Sequence, residues 1–318
     1  MSKPKLAYYL AGGCGGCDIA VVDLSETLVD VALAVDIVFW APTVADAKYK
    51  DLEAMPDGSI DVGLITGNVR NSEHDHIVKV MRKKCKVLIA YGICATSGGI
   101  KSLVNLYTTE QLLDKAYVDT MSTDNPDKVI PQTSCIVDSK YDLTLPALFD
   151  AKPLDQVVSV DYYIGGCPPH YDHVKTAFTA LLTGQLPPPG SWITSGKALC
   201  EVCGRNPVLT GKPKKFTTTI KRTFEGTPTE GACLLEEGYL CLGPITQGDC
   251  GVKCPNANMP CRGCGGPIPG VKDFGTRAIS AIASMLEKEE LVDEIPDPVH
   301  LFYRYTLAGS ALGKKLNR

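Results

Sequence analysis

The chain has 318 residues, 44% of them apolar, and a formal net charge of −4 at neutral pH. A sequence of this length can bury a large core without covalent staples, so its fourteen cysteines need an explanation other than a disulfide scaffold. The acidic balance provides no basic field for nucleic acid. No run approaches the roughly 20 apolar residues of a spanning helix, and the first residues resemble neither a secretory nor a twin-arginine signal, so we expect a cytoplasmic protein without membrane insertion.

The first half alternates short apolar or β-branched runs with amphipathic stretches. This alternation predicts an α/β fold, a flavodoxin-like parallel sheet with helices on both faces. The predicted strands are 5–10, 35–40, 62–66, 87–91 and 157–164, and the predicted helices are 18–33, 72–84 with Ser72 as its N-cap, and 170–182.

Four cysteines lie in glycine-rich loops that follow predicted strands. Cys14 and Cys17 follow the first strand, Cys94 follows the fourth and Cys167 follows the fifth. The carboxyl ends of parallel strands meet at one edge of a sheet, so three loops that are distant in sequence can converge on one iron-sulfur cluster. Two alternatives are buried cysteines beside turn glycines and, for Cys14 and Cys17, a thioredoxin-like redox pair.

The composition changes after the proline run at 187–189. We therefore expect a first domain at 1–188, holding the first cluster, and at 189–318 an irregular cysteine-rich cluster domain with C-terminal helices, including one at 274–290. The cluster domain is poor in apolar residues around its cysteines. Metal ligation should therefore supply much of its folding free energy.

Eight cysteines of the second half are enough for two four-ligand sites. They are Cys200, Cys203, Cys233, Cys241, Cys250, Cys254, Cys261 and Cys264. The Cys254-Pro255 step and the irregular spacing favour iron-sulfur clusters, because a cysteine followed by proline is typical of ferredoxins. The paired C-x2-C motifs leave tetrahedral zinc as the alternative.

The whole pattern resembles the small subunit of cytosolic [NiFe] hydrogenases, and it is most similar to the methanogen-type enzymes that do not reduce deazaflavin and that serve heterodisulfide reductase. The resemblance implies three [4Fe-4S] clusters. The proximal cysteines would be Cys14, Cys17, Cys94 and Cys167. The distal cysteines would be Cys200, Cys203, Cys233 and Cys241, and the medial cysteines Cys250, Cys254, Cys261 and Cys264. Relatives with proline in place of Cys254 carry a three-iron cluster, so Cys254 implies four irons at the medial site.

The resemblance also implies partners. Nickel and iron would sit in a separate large subunit, so this chain would hold no catalytic residue and would act on hydrogen as an oxidoreductase subunit. Its clusters would pass electrons to an external acceptor, a small iron-sulfur electron-transfer subunit joined to a heterodisulfide reductase-type complex. The alternatives are a deazaflavin-reducing or sulfur-reducing relative, a stand-alone multi-cluster ferredoxin-like carrier and a zinc-stabilised interaction module.

Several residues fall outside the three sites. Cys85 and Cys135 are predicted to be small buried hydrophobes. His170, three residues after Cys167, is a candidate neighbour of the proximal cluster or a cap of the next helix. The basic stretch predicts either a solvated hairpin or a docking site for an acidic electron-accepting partner, and it contains Lys212, Lys214, Lys215, Lys221 and Arg222.

Overall fold

The first half of the chain is built on strands that form one parallel sheet. The computed structural model describes residues 3–40 and 46–316. The strands are β1 (Lys5–Leu10), β2 (Asp36–Phe39), β3 (Ile60–Thr66), β4 (Val69–Asn71), β5 (Cys85–Tyr91), β6 (Ser134–Val137), β7 (Tyr141–Thr144), β8 (Leu148–Lys152), β9 (Tyr162–Ile164) and β10 (Ser191–Trp192). Six of them form the main sheet in the order β2-β1-β3-β5-β9-β10, which is flavodoxin-like and confirms the predicted fold class.

Helices cover both faces of this sheet and continue into the second half. They are α1 (Gly16–Val22), α2 (Glu26–Ala34), α3 (Tyr49–Ala54), α4 (Ser72–Lys84), α5 (Ile93–Ser97), α6 (Thr109–Tyr117), α7 (Tyr171–Thr183), α8 (Pro207–Thr210), α9 (Lys253–Asn256), α10 (Phe274–Ala283), α11 (Pro298–Phe302) and α12 (Ala311–Leu316). Short 3-10 helices occur at Ile100–Leu106, Leu154–Gln156, Leu199–Val202, Gly243–Ile245 and Glu289–Val292. Within the described ranges, no helix has the length and apolar character needed to cross a bilayer.

The sheet is buried on both faces, which explains its nearly continuous apolar strands. Successive residues of a strand point to opposite faces, so Tyr8 packs in the core with Tyr91 on one side while Tyr9 packs with Met81 on the other. The sixth strand, β10, lies just beyond the predicted domain boundary at residue 188 and still pairs with β9. The boundary itself stays a prediction.

Most predicted elements of the first half are present, with three changes. The continuous helix predicted at 18–33 is wrong, because Ser25 adopts a φ of 52° and separates α1 from α2. The cap of α4 is Asn71, whose side chain accepts a hydrogen bond from the His74 N–H at 2.7 Å, and not Ser72. The last predicted strand begins only at Tyr162.

The region between Cys94 and β9 contains structure that was not predicted. Strand β8 pairs antiparallel with β4, and β6 and β7 form a hairpin whose residues are all exposed. Cys135 lies in β6 and is exposed, so its prediction as a buried hydrophobe is wrong. Cys85, in contrast, is 3% exposed in the sheet core, as predicted.

The second half has an apolar core of its own. Leu234, Leu240 and Leu242 pack there with Phe274 and Leu307, all at most 6% exposed. The cysteine-rich segment does not form this core alone, because Phe274 and Leu307 of the C-terminal segment contribute to it. The contribution of metal ligation to the folding free energy stays a prediction. The predicted helix at 274–290 ends earlier, at Ala283, and α10 packs against this core.

Asp273 joins two parts of this C-terminal segment. Its Oδ1 accepts the Thr276 N–H at 2.9 Å, capping α10, and its Oδ2 accepts the Ala311 N–H at 2.8 Å at the start of α12. We expect Asp273→Ala to destabilise the fold by about 1–2 kcal/mol, seen as a lower melting temperature of the purified complex. Asp273→Asn keeps one acceptor oxygen for the cap. If it lowered the melting temperature as much as Asp273→Ala does, this account would be contradicted.

Candidate iron-sulfur sites

The loops of the proximal cysteines meet at the carboxyl edge of the sheet. Cys14 and Cys17 follow β1, Cys94 lies in α5 directly after β5, and Cys167 follows β9. In the sheet, β1 and β5 lie on either side of β3, and β9 lies next to β5. The topological switch point of the fold is between β1 and β3. The structure thus brings together the four residues that the sequence grouped.

The thiols of the proximal cysteines are close enough to influence one another electrostatically. Burial raises the pKa of the Cys17 thiol to about 12; the Thr66 hydroxyl lowers it, and the charges of the other three cysteines raise it. The pKa of Cys94 is also raised to about 12, first by burial and then by Cys167 and Cys14. A redox pair of Cys14 and Cys17 alone would leave the neighbouring Cys94 and Cys167 unexplained, so the arrangement favours a four-thiol site.

Backbone and side-chain contacts brace the proximal loops against each other. The side-chain amide of buried Asn68 donates to the Gly98 carbonyl at 2.8 Å. The main-chain carbonyl of Asn68 accepts the Gly12 N–H at 2.8 Å. The Lys101 ammonium donates to the Gly13 carbonyl. The loop before Cys14 is therefore held to the loop after Cys94 by two polar side chains.

Gly92 allows the Cys17 thiol to approach the Cys94 loop. Its φ of 83° and ψ of 156° suit only glycine, and an added Cβ would lie 2.5 Å from the Cys17 Sγ. We expect Gly92→Ala to displace this thiol and so to prevent the proximal cluster from being held. The iron content per copy of this chain in the purified complex should fall by about one third.

Gly15→Ala is the control for this experiment. Gly15 has a φ of 82° in the same set of loops, but an added Cβ would meet nothing within 4 Å. Gly15→Ala should lower the free energy of unfolding through backbone strain alone, by about 1–2 kcal/mol, and leave the iron content unchanged. Equal iron loss in both variants would show that backbone strain, and not the position of the Cys17 thiol, determines cluster retention.

The distal cysteines surround a cavity. Cys200, Cys203, Cys233 and Cys241 all line a space of about 300 Å³ whose other walls are mostly apolar. Burial raises the pKa of Cys241 to about 11; the N–H groups of Gly243 and Cys261 lower it, and the charges of Cys233 and Cys203 raise it. A cavity with four thiols on its wall and N–H donors aimed at sulfur fits an iron-sulfur cluster.

The medial cysteines form the third group. The pKa of the Cys264 thiol is raised to about 12 by burial, followed by the charges of Cys250, Cys167 and Cys254. Burial also raises the pKa of Cys261 well above its usual range, with Cys241 as the next cause. Cys250, Cys254 and Cys264 therefore lie together, and Cys261 joins them through Cys264.

Neighbouring groups are connected by N–H to sulfur contacts. The Cys167 N–H lowers the pKa of the Cys264 thiol, which links the proximal and medial cysteines. The Cys261 N–H donates to the Cys241 Sγ at 3.3 Å, which links the medial and distal cysteines. Gly165 lets the backbones come this close, because an added Cβ would lie 2.1 Å from the Gly265 carbonyl oxygen. The three groups thus form a continuous series from the sheet edge through the second half.

In the part of the chain that the structure describes, no group of three or more cysteine, histidine or carboxylate side chains lies in a geometry that could hold a metal ion directly. The choice of iron-sulfur clusters over zinc therefore stays a prediction.

Sequence reasoning missed the residues that support the ligands. Thr66 at the end of β3, Asn68, Lys101 and Arg262 all act on the cysteines or their loops. None has a spacing signal, although Arg262 lies between two predicted ligands. His170 is at the N-cap position of α7 but makes no side-chain capping bond; its Nδ1 lies 3.3 Å from an Asp172 carboxylate oxygen.

Comparisons with known proteins identify the class. The family model of the 20 Kd subunit of NADH ubiquinone oxidoreductase matches residues 14–181. In fold, the chain is similar to the [NiFeSe]-hydrogenase of Dm. baculatum, with a TM-score of 0.51 over 85% of this chain and 96% of that one at 16% identity. The chain therefore belongs to the family that includes this 20 Kd subunit and has the fold of a hydrogenase small subunit.

Relatives of nearly equal length define the branch. The iron-sulfur subunit of the F420-non-reducing hydrogenase of Archaeoglobus profundus is 58% identical over 98% of both chains. An F420-non-reducing hydrogenase subunit of Methanothermobacter thermautotrophicus is 35% identical over 99% of this chain and 98% of that one. The chain thus belongs with the small subunits of F420-non-reducing [NiFe] hydrogenases, oxidoreductases that act on H2, which confirms the resemblance seen in the sequence.

Proposed function

We propose that this chain is the electron-transfer subunit of a cytoplasmic [NiFe] hydrogenase and holds three [4Fe-4S] clusters. The observation that carries the proposal is the series of three four-cysteine groups joined by N–H to sulfur contacts. When bound, such clusters accept and release single electrons, which would connect H2 oxidation in a large subunit with an external acceptor. The chain's own thiols hold the clusters, and its N–H groups and nearby cations set their potentials.

The surface beside the proximal cysteines suits a large subunit. Cys14 is exposed, and the helices that follow it present four apolar side chains to solvent. These are Ile19, Val22, Val29 and Leu33, which are 59%, 46%, 60% and 66% exposed. An exposed apolar patch of this kind is typical of a protein interface. We infer that the subunit containing nickel docks here and covers the proximal cysteines.

The electron acceptor at the end of the cysteine series opposite the large subunit is inferred from the relatives. Subunits of F420-non-reducing hydrogenases are 35% or more identical to the chain over 95% or more of its length, which supports an acceptor other than deazaflavin. We propose a small iron-sulfur subunit that leads to a heterodisulfide reductase-type complex. The 25% identity to the delta subunit of a sulfhydrogenase over 84% of the chain favours a sulfur-reducing relative as the second candidate.

Metal analysis of the natively purified complex tests the proposal. We expect about twelve irons and twelve acid-labile sulfides per copy of this chain, with nickel in a co-purifying larger chain. Stoichiometric zinc with little sulfide would overturn the iron-sulfur assignment. Full iron and sulfide in a chain that purifies alone, without nickel, would support a stand-alone carrier instead.

A further inference from the structure

A second cavity lies beside the medial cysteines, and its wall combines apolar side chains with a cluster of cations. Its volume is about 350 Å³. We call this space the basic cavity. The charged groups on its wall are Lys221, Arg222, Arg262, Arg304, His300 and Asp297. Four permanent cations and one histidine therefore face one carboxylate.

The single carboxylate of the basic cavity is already engaged. One oxygen of Asp297 lies 2.6 Å from the His300 ring nitrogen, and the other accepts the His300 N–H at 3.3 Å. None of the four permanent cations forms an ion pair with a carboxylate within residues 3–40 and 46–316. The cavity thus has a surplus of positive charge.

This arrangement costs free energy in the isolated chain. Arg262 and Arg304 both line the cavity, and both are half-buried. Holding two guanidinium groups near each other out of bulk water is unfavourable unless an anion compensates them. Arg304 shares Asp297 with His300, and Lys221 and Arg222 lie 5.5 Å and 6.0 Å from the ring centroids of Tyr239 and Phe224. One shared carboxylate does not balance four cations, so the cavity points to an anionic ligand from outside the chain.

The position of the cavity indicates what kind of ligand this is. Its wall includes Leu240, which directly precedes Cys241, and Arg262, which directly follows Cys261, so the cavity adjoins both a distal and a medial cysteine. Its rim carries Phe224, whose side chain is 75% exposed and whose ring centroid lies 6.0 Å from the Arg222 guanidinium. Arginine beside an exposed aromatic ring is typical of the residues that dominate protein–protein binding.

We propose that the basic cavity receives acidic side chains of the protein that accepts electrons from this chain. The proposal rests on the proposed function. Oxidation of one H2 in the large subunit releases two protons and two electrons, so two molecules of a one-electron carrier would be reduced for each H2. The cavity refines the predicted docking site: Lys221 and Arg222 line it, whereas Lys214 lines the distal cavity.

The test uses the purified complex, H2 as donor and a small acidic ferredoxin as the acceptor probe. We expect Arg304→Gln to raise the KM for ferredoxin roughly 3- to 10-fold at low salt and to weaken its dependence on ionic strength. Rates are normalised to methyl viologen, a cationic acceptor. Arg277→Gln, which replaces an exposed arginine of α10, is the matched control. Lys221→Gln is a second test variant, because Arg304 also donates to the His300 carbonyl and its replacement can disturb the fold.

Three outcomes would overturn the proposal. One is a ferredoxin KM and salt dependence that change no more in Arg304→Gln and Lys221→Gln than in Arg277→Gln. Another is a weakened association with the large subunit in these variants, which would assign the cavity to that subunit. The third is binding of inorganic pyrophosphate that the variants abolish while the ferredoxin KM is unchanged, which would indicate a small-anion site. Failure of the unaltered complex to reduce viologen with H2 would instead refute the proposed function.

Discussion

Replacing Cys254 by proline is expected to convert the medial cluster from four irons to three. Cys254 is the exposed member of the medial cysteines, so its iron is the one that can be lost without opening the core. It is the second residue of α9, where a backbone N–H has no intrahelical acceptor and proline is tolerated. The expectation rests on the resemblance described for the sequence, which implies a three-iron cluster where proline replaces this cysteine.

The conversion has two readouts. Iron content should fall by about one atom per chain, and a signal characteristic of an oxidised three-iron cluster should appear in electron paramagnetic resonance spectra. Cys254→Ala removes the same thiol without changing the backbone and should give the same loss. Cys135→Ala, in the exposed β6–β7 hairpin, is the matched control and should keep all its iron. Iron loss in Cys135→Ala but not in the Cys254 variants would show that the ligand assignment is wrong.

The sequence predicted the positions of the cysteines better than their surroundings. Cys14, Cys17 and Cys94 could be placed because β1 and β5 have long, mostly buried apolar runs, which are recognisable without tertiary information. Cys167 follows the shorter strand β9, of which only the end was predicted correctly. The same reasoning could not find the contact of Cys167 with Cys264, because it depends on how the second half packs onto the sheet edge.

The errors have a common physical origin. Residues 18–33 have helical periodicity, but the break at Ser25 is a backbone conformation that no local signal marks. The members of the core of the second half could not be identified from local patterns, because they come from segments far apart in sequence, such as Leu234 and Leu307. Cys135 was assigned to a core by its residue type alone, although β6 and β7 pair only with each other. Local patterns predict local structure, whereas burial depends on contacts between distant segments.

The other large effect is expected at Lys101, the cation of the proximal site. Its ammonium group bonds the Gly13 carbonyl beside Cys14, and its charge lowers the otherwise raised pKa of the Cys94 thiol. Nearby His74 does not add a second charge readily, because burial and Lys101 lower its pKa. Lys101 is therefore the side chain that offsets negative charge on the proximal cysteines.

Loss of this charge should lower the reduction potential of the proximal cluster. Reduction adds an electron, and a nearby cation stabilises the reduced form more than the oxidised one. At an effective dielectric constant of about 20 and a separation of roughly 8–16 Å, one charge contributes about 1–2 kcal/mol, or roughly 40–90 mV for a one-electron couple. We expect Lys101→Gln to shift the proximal potential downward by this amount in a redox titration followed by electron paramagnetic resonance.

Two variants separate the charge of Lys101 from its bracing role. Lys101→Arg keeps the charge, so the reduction potential of the proximal cluster should stay close to that of the unaltered protein, even if the bond to the Gly13 carbonyl is altered. Asn68→Ala removes the parallel brace to Gly98 without changing any charge, so it should loosen the loops and lower thermal stability with a much smaller shift in potential. If Lys101→Gln and Asn68→Ala shifted the potential equally, Lys101 would act by holding the loops in place, and the electrostatic explanation would be wrong.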